Sequence, residues 1–285
     1  MANFIELIKT VVYGILEGIT EWLPISSTGH LILLERILPL KVSEEFFEMF
    51  EVVIQLGASL AVLGLFLGTL LPRFKNCGEG GFIRCYENKK TFTLWAKIIV
   101  AVIPSAIIGL AFDDWFDEHF YNAETVSTAL IFYGILYIII EMARKKKDTS
   151  ISDSVHDISF AKALGMGCFQ VLALVPGTSR SGSTILGGLI MGLSRTAAAE
   201  MSFFLALPTM LGASALKAAK FVLEGNDISG IELAILILGC AVSYLVSVIA
   251  IKFLMGFVKK HTFIPFGIYR ILLGAAVIIY FLIAA

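Results

Sequence analysis

Long runs of apolar residues, separated by short polar segments, dominate the chain. A helix needs about 20 apolar residues to cross a bilayer, and six runs are long enough. These predicted spans are residues 49 to 71, 94 to 112, 123 to 143, 197 to 217, 231 to 254 and 263 to 284. The pattern therefore predicts an all-α integral membrane protein.

Two further apolar regions, residues 4 to 38 and 161 to 194, are each interrupted by a cluster of Pro, Gly and Ser. The clusters are "LPISSTGH" and "VPGTSRSGST", and each leaves half-length helices on both sides. Irregular backbone at membrane depth is tolerated where protein encloses it or where it lines a wet cavity. We therefore expect two re-entrant helical hairpins in addition to the six spans.

Composition supports the assignment to a membrane and argues against nucleic acid as a partner. Hydrophobic residues make up 58% and charged residues 16% of 285 positions, with a mean hydropathy of +0.87. Such a chain is not a water-soluble domain, and a net charge of -1 gives no basic field for nucleic acid. No CxxC motif occurs, so neither a disulfide framework nor a cysteine-ligated metal is expected. The four cysteines are Cys77, Cys85, Cys168 and Cys240.

Charged loops orient the predicted spans by the excess of Lys and Arg in cytoplasmic loops. The basic loop residues are Arg73, Lys75, Arg84, Lys89, Lys90, Arg144, Lys145, Lys146 and Lys147. The acidic loop "DDWFDEH" is then external. Lys217 and Lys220 are exceptions, because this orientation puts them on the external side as well. Each half has one hairpin and three spans, an odd number of crossings, so the halves are predicted to be inverted.

An internal similarity supports a repeat. "GILEGITEWLPISSTGH" aligns with "GCFQVLALVPGTSRSGS" at a constant offset (170 − 17 = 153). The identical or similar pairs are Gly14 with Gly167, Glu17 with Gln170, Ser26 with Ser179 and Gly29 with Gly182. We predict a single membrane domain, residues 1 to 285, with inverted repeats at 1 to 143 and 161 to 285 and a cytoplasmic linker at 144 to 160. In inverted-repeat membrane folds, broken helices meet at a functional site near the midplane.

The first cluster carries paired carboxylates. Glu17 and Glu21 lie four residues apart, on the same face of a helix. In a low-dielectric site they must share a proton, bind a cation or meet an arginine, and Arg180 is the obvious counter-charge. Ser26 follows, and Ser27 and His30 have the spacing of a nucleophile and base, or of a proton donor to a leaving group.

The second cluster has the groups of a phosphate cradle. Arg180 can grip phosphate oxygens with two parallel hydrogen bonds, while glycines let backbone amides approach an anion. The candidate substrate ligands here are Gly177, Thr178, Ser179, Ser181 and Thr184. The chain is not a P-loop NTPase, because Ser183 occupies the place of the lysine and no strand precedes the loop.

Other interpretations stay open at this point. A Ser-rich break in a membrane helix also serves close helix packing, and an intramembrane carboxylate is typical of a transporter's cation site. Glu51 and Gln55, again four residues apart, are either partners of the site or interhelical hydrogen-bonding groups.

The two motifs "EGITEWLPISSTGH" and "PGTSRSGST" together resemble the bacitracin-resistance family of undecaprenyl-pyrophosphate phosphatases. "FEVVIQLGA" and "FIPFGIYR" are also similar to that family, so the resemblance covers nearly the whole chain. It implies a bacterial inner-membrane enzyme that removes the terminal phosphate from a C55 polyprenyl pyrophosphate, regenerating the carrier for cell-wall precursors and conferring bacitracin resistance. The implied cofactor is a divalent cation, Mg²⁺ or Ca²⁺.

The resemblance also implies roles for individual residues. The family's essential residues fall on Glu17, Glu21, Ser27, His30, Ser179, Arg180 and Thr184. We expect Glu17 and Glu21 to hold the metal and Arg180 to bind the outer phosphate. Either Ser27 attacks the phosphorus with help from His30, or His30 activates water. We further expect membrane lipid and the lipid substrate as partners, a second copy of the chain as a candidate partner in a homodimer, and a site that opens to the outer face. The competing hypothesis is a transporter or flippase of polyprenyl phosphate.

Overall fold

A computed structural model describes residues 2–72, 86–144 and 154–284, and all regular structure within these ranges is helical. The helices are α1 (Ala2–Thr20), α2 (Ser27–Ile37), α3 (Glu44–Leu65), α4 (Leu67–Leu70), α5 (Tyr86–Phe120), α6 (Ala123–Ala143), α7 (Phe160–Val171), α8 (Arg180–Ile190), α9 (Arg195–Leu223), α10 (Gly230–Val258) and α11 (Ile264–Ala284). Short 3₁₀ turns occur at Val155–Asp157 and Leu172–Leu174. The predicted loop residues Arg73, Lys75, Arg84, Lys145, Lys146, Lys147, Cys77 and Cys85 lie outside the described residues.

The prediction of six membrane spans is confirmed. Six helices are long and apolar enough to cross a membrane, namely α3, α5, α6, α9, α10 and α11. Two boundaries differ from expectation. The first span ends at Leu65 and continues as the short α4, and α5 extends over 35 residues, so Lys89 and Lys90 lie on a helix instead of a loop.

The two interrupted regions are broken helices. In the first region, residues 21–26 separate α1 from α2; in the second, residues 172–179 separate α7 from α8. Three of the four pieces are short, at 11 or 12 residues, but α1 has 19 residues and exceeds the expected half length. Its first turns carry a polar cluster in which the Lys9 ammonium donates to Glu6 and to the carbonyl of Pro39. This cluster joins the start of α1 to the segment that follows α2.

Glycines let the helices of the two chain halves approach closely. α1 packs on α10, where a Cβ on Gly14 would lie 2.9 Å from the carbonyl oxygen of Gly239. α7 packs on α5 in the same manner, and a Cβ on Gly167 would overlap the carbonyl of Ala101. α3 packs on α9, and α6 on α11. Each of the large helix contacts therefore joins an element of the first half to one of the second.

The breaks of both broken helices lie inside this bundle. Every residue of α8 from Arg180 to Leu189 is buried, although the helix has only 11 residues. Trp22, at the first break, is fully buried and meets the Phe203 ring of α9 edge-on at 5.2 Å. The polar parts of the breaks next to α2 and α8 are therefore enclosed by protein, as irregular backbone in a membrane requires, whereas Leu172–Leu174 has no buried residue.

Candidate active site

The two breaks share an unusual backbone conformation. Ser26 and Ser179 have φ values of 72° and 70°, and they are the non-glycine residues with positive φ in the described ranges. Each caps the following helix: the Ser26 hydroxyl oxygen accepts from the Gly29 amide at 3.4 Å, and that of Ser179 from the Gly182 amide at 3.1 Å. Both serines thus have a structural task in addition to their predicted contact with substrate.

A buried ion pair connects the two breaks. The Nε and Nη2 atoms of Arg180 donate to Oε1 of Glu21 at 3.2 and 2.8 Å, and Nη1 donates to the Ser202 carbonyl at 3.0 Å. The side chains are only 7% and 6% exposed. The guanidinium carbon lies 5.8 Å from the Trp22 ring centroid, in a cation–π contact. The predicted meeting of Glu21 with Arg180 is therefore observed.

Glu17 differs from Glu21 although the two lie one helical turn apart. It is fully buried, and neither carboxylate oxygen has a hydrogen-bond partner in the described part of the chain. A buried carboxylate without a partner is unfavourable, so it must take up a proton or a cation.

The carboxylate oxygens of Glu17 and Glu21 supply part of the coordination that a hard divalent cation requires. Glu17 offers two unengaged oxygens beside those of Glu21, and Mg²⁺ is commonly held by one or two carboxylates together with substrate phosphates. No cluster of three or more His, Cys, Asp or Glu side chains suited to a metal occurs among the described residues. A cation here would therefore complete its coordination with hydroxyls, water or phosphate.

In the part of the chain that the structure describes, the side chains of Ser27 and His30 hydrogen-bond to other groups and not to each other. The Ser27 hydroxyl donates to Oε2 of Glu21 at 3.3 Å. His30 lies with Nδ1 2.6 Å from the Ser26 carbonyl oxygen and Nε2 2.7 Å from the hydroxyl of Tyr269. The described hydrogen bond of the Ser27 side chain is therefore to Glu21, and the catalytic roles expected for Ser27 and His30 stay predictions.

Hydroxyls of the second cluster are engaged within the protein. The Ser181 hydroxyl donates to the Glu21 carbonyl at 2.8 Å and so ties α8 to the end of α1. Thr184 donates to the Arg180 carbonyl at 2.8 Å and lies 2.6 Å from the Ser202 hydroxyl. These contacts hold α8 in place against the first break and against α9.

The segment before α8 packs on α6. Gly177 has φ of 88°, and a Cβ there would lie 2.6 Å from the Val126 carbonyl oxygen, so only glycine fits. Thr178 is buried at the base of a cavity of about 480 Å³. Its other lining residues include Phe120, Glu124, Phe132, Tyr133 and Val175. The lining residues of this cavity come from the ends of α5 and α6 that adjoin each other and from the second break.

Gln55 is not joined to this cluster. It is half-buried on α3, and its backbone carbonyl accepts from the Ser59 hydroxyl at 2.9 Å. Glu51, one turn earlier, accepts from the Tyr121 hydroxyl at 3.1 Å. Among the described contacts of the Glu21 and Arg180 side chains, neither residue takes part.

Arg270 is the residue of the site that sequence reasoning missed. It is fully buried on α11, where Nη1 donates to the Pro24 carbonyl at 3.3 Å and Nη2 donates to the carbonyls of Gly177 and Thr178 at 2.8 and 2.9 Å. One guanidinium thus binds both breaks. A charged residue inside an apolar span was an available signal, because intramembrane charges mark functional positions.

Comparison with known proteins shows the family to which the chain belongs. The family described as bacitracin resistance protein BacA matches residues 10–276. A protein of Enterococcus faecalis named undecaprenyl-diphosphatase is 52% identical over 97% of this chain and 98% of its own length. Proteins with the same name from Acetivibrio thermocellus and Lachnoclostridium phytofermentans are 52% and 51% identical, over 98% and 99% of both chains. The bundle of six spanning helices with two polar breaks that meet at Glu21 and Arg180 is thus that of a member of the BacA bacitracin-resistance family.

Proposed function

We propose that the protein is a membrane phosphatase that hydrolyses undecaprenyl (C55) diphosphate to the monophosphate carrier of cell-wall precursors. The observation that carries this proposal is the buried cluster in which Arg180 and Glu21 pair beside the unpartnered Glu17. The name of the relatives, undecaprenyl-diphosphatase, describes the same reaction. The cluster unites an arginine, free carboxylate oxygens and hydroxyls, which are the groups that phosphoryl transfer requires.

Arg180 is suited to the outer phosphate. Its guanidinium has five N–H donors, and the three hydrogen bonds to Glu21 and Ser202 leave capacity for phosphate oxygens. Glu21 fixes the plane of the guanidinium before substrate arrives, which is the preorganisation that favours a charged transition state.

A divalent cation would be held by Glu17 and the remaining lone pairs of Glu21. Bound there, it would neutralise charge that develops on the phosphate oxygens. Glu17 keeps its oxygens unengaged and so available, while Glu21 orients Arg180 and accepts from Ser27.

Two routes to the nucleophile follow from these contacts. In the first, the Ser27 oxygen bonds to the terminal phosphorus, its proton passes to Glu21, and the bond to the bridging oxygen breaks to release the lipid monophosphate. Water then hydrolyses the phosphoserine. In the second, water attacks the phosphorus directly, and a carboxylate or His30 takes its proton. The 3.3 Å contact between Ser27 and Glu21 favours the first route.

We also propose that the fold consists of two inverted repeats, residues 1–143 and 161–285, with re-entrant helical hairpins at the two breaks. Three features support this. Ser26 and Ser179 are equivalent in the alignment and share a positive φ, and the helices that they cap both have 11 residues. The packing of α1 on α10 is matched by that of α7 on α5, which pairs the first helix of each half with the second span of the other.

The location is proposed from the charge pattern. On this proposal the α6–α7 connection, residues 144–160, lies on the cytoplasmic side of a bacterial inner membrane, which the excess of Lys and Arg in cytoplasmic loops supports. The site would then open outward. The cavity at Thr178 begins beside Phe120 and Glu124, at the end of the bundle that this orientation places outside.

The second candidate function is transport or flipping of polyprenyl phosphate. The matched packing of the two halves favours it, because inverted repeats with broken helices near the midplane are a transporter architecture. A transporter would not need a nucleophile, so Ser27→Ala would leave its activity intact.

The test is phosphate release from C55 diphosphate by the purified protein in detergent, with and without EDTA. We expect metal-dependent release, with Glu21→Gln and Arg180→Ala each losing at least about 100-fold in kcat/KM. Arg36→Ala, an exposed arginine on α2, is the matched control and should stay near wild type. A folded wild-type protein that releases no phosphate with metal present would refute the phosphatase and direct attention to flipping in liposomes.

A further inference from the structure

The imidazole of His30 is held at both ring nitrogens by groups from different parts of the chain. Nδ1 lies 2.6 Å from the Ser26 carbonyl oxygen, and Nε2 lies 2.7 Å from the hydroxyl of Tyr269 on α11. A carbonyl oxygen can only accept, so the proton of the neutral ring is assigned to Nδ1. Nε2 is then the acceptor, and the Tyr269 hydroxyl donates to it.

Ring stacking adds a second restraint on His30. The imidazole and the Tyr269 ring are nearly parallel, with an interplanar angle of 10° and centroids 5.7 Å apart. The ring can therefore neither flip nor change tautomer without losing a short hydrogen bond and this stacking contact.

The membrane favours persistence of the Tyr269 contact. Tyr269 is 43% exposed on a helix that is long and apolar enough to span a membrane, and in a bilayer that exposed surface would face lipid. A hydroxyl or imidazole nitrogen in hydrocarbon has no water to replace a lost partner. The two polar groups thus satisfy each other.

Arg270, the residue after Tyr269, fixes the position of α11 beside the two breaks. Arg270 points into the bundle and binds the carbonyls of Pro24, Gly177 and Thr178. α11 is therefore anchored to both breaks immediately beside Tyr269. The hydroxyl of Tyr269 consequently has a defined place relative to His30 and to Ser27.

We infer that Tyr269 is a positioning residue that holds His30 in one orientation and one tautomer through Nε2. The effect on catalysis rests on the proposed function. The hydrogen bond by which Tyr269 holds His30, called the tether below, does not. Because Nε2 is occupied, His30 takes up a proton there only when the Tyr269 hydroxyl turns from donor to acceptor. A tyrosine hydroxyl can do both, which a backbone carbonyl cannot.

The tether is tested by ¹⁵N NMR of the histidine side chains in detergent micelles. The chain has four histidines, so the His30 signals are identified by their loss in His30→Gln. In wild type we expect a protonated Nδ1 and a hydrogen-bonded, unprotonated Nε2. In Tyr269→Phe, which keeps the ring but removes the hydroxyl, the Nε2 signal should move to the position of a nitrogen without a donor. An unchanged Nε2 signal would overturn the inference.

The catalytic consequence is tested by kinetics on C55 diphosphate. We expect Tyr269→Phe to lower kcat about tenfold with KM within about twofold of wild type, because positioning acts on the reaction step. Tyr280→Phe, further along α11, is the matched control and should keep wild-type kcat. Equal kcat in the two variants would overturn the positioning role. If wild type itself is inactive, the proposed function fails, and the NMR result alone decides the tether.

Discussion

Glu17 and Glu21 show how two identical side chains one helical turn apart acquire different tasks. Oε1 of Glu21 accepts from Arg180 and Oε2 accepts from Ser27, so its charge is compensated inside the protein. Both oxygens of Glu17 are buried and have no hydrogen-bond partner among the described residues. Because an uncompensated buried carboxylate is costly, Glu17 has most to gain from a bound cation.

We predict that Glu17→Gln abolishes stabilisation of the protein by divalent cations. A ligand at 100 times its dissociation constant stabilises the folded state by about 2.7 kcal/mol. Mg²⁺ or Ca²⁺ should therefore raise the melting temperature of wild type above its value in EDTA, and should leave that of Glu17→Gln unchanged. Thermal unfolding in detergent measures both, with Glu200→Gln as a control carboxylate on α9. A wild-type metal shift that survives in Glu17→Gln would contradict this assignment.

The residues of the site were predictable where charge was the signal. Glu21 and Arg180 are separated by 159 positions, yet a buried carboxylate and a buried arginine in apolar regions need each other. The spacing of Ser27 and His30 did not indicate that Nδ1 of His30 lies beside the carbonyl oxygen of Ser26, one helical turn earlier. Tyr269 reaches His30 from 239 positions away, and no local spacing indicates such a contact.

At the scale of elements, each break has a serine with a strained backbone. A residue held in a sparsely populated region with positive φ costs about 1–3 kcal/mol, and glycine avoids that cost. The hydroxyl of each serine in turn caps a helix that contains only 11 residues. Side chain and backbone therefore act in opposite directions at Ser26 and Ser179.

We predict that alanine at either serine is more destabilising than glycine. Ser→Ala keeps the strain and loses a cap worth about 1 kcal/mol, whereas Ser→Gly loses the cap but relieves strain. Ser26→Ala and Ser179→Ala should lower the free energy of unfolding by about 1–2 kcal/mol. Their glycine variants should stay within about 0.5 kcal/mol of wild type. Unfolding in detergent measures all four, and glycine variants as unstable as alanine variants would refute this account of the breaks.

Arg270 connects α11 to the site, so we predict that its replacement destabilises the protein. Arg270→Met leaves the carbonyls of Pro24, Gly177 and Thr178 without their donor, and each unsatisfied buried group costs about 1–3 kcal/mol. We expect a loss of at least about 3 kcal/mol in unfolding free energy. Arg270→Lys should fall between this variant and wild type, because one ammonium cannot reach all three carbonyls.

The measurement for Arg270 is thermal unfolding together with phosphate release. Arg36→Met, at an exposed position of α2, is the matched control and should change stability by no more than about 1 kcal/mol, the size of its exposed cation–π contact with Phe281. Wild-type stability in Arg270→Met would show that the carbonyls find other partners and that α11 is not anchored to the breaks.

The segments that form long apolar helices could be predicted from length and composition, but the residues at which the helices begin and end could not. Apolar runs near 20 residues gave the six spans because the bilayer sets that length. α1 exceeded the expected half length, and near its start Lys9 contacts Glu6 and the Pro39 carbonyl, a contact that depends on the return of the chain after α2. α5 likewise extends through polar residues that a hydropathy pattern assigns to loops.

At the scale of the whole molecule, the halves interlock and do not fold side by side. α1 packs on α10 and α7 packs on α5, so the first helix of each half completes its packing on the other half. Gly14 and Gly167 occupy equivalent positions in these two contacts. The sequence indicated the repeat through its constant offset, but which helices touch depends on long-range packing that no local pattern encodes.

The interlocked arrangement makes a topological prediction. In two inverted repeats, the connection between α5 and α6 and its equivalent between α10 and α11 must lie on opposite sides of the membrane. Glu118 near the first connection and His261 in the second are both exposed. We therefore expect Glu118→Cys and His261→Cys to react with a membrane-impermeant maleimide from opposite faces. The background for these variants replaces Cys77, Cys85, Cys168 and Cys240.

Vesicles of the two orientations measure this directly. With basic segments in the cytoplasm, Glu118→Cys should be labelled in right-side-out vesicles and His261→Cys in inside-out vesicles. Labelling in the reverse pattern would keep the inverted repeats but turn the molecule over, which would move the cavity at Thr178 to the cytoplasmic side. Labelling of both cysteines from one side would exclude inverted repeats, because the equivalent connections of an inverted pair cannot share a face of the membrane.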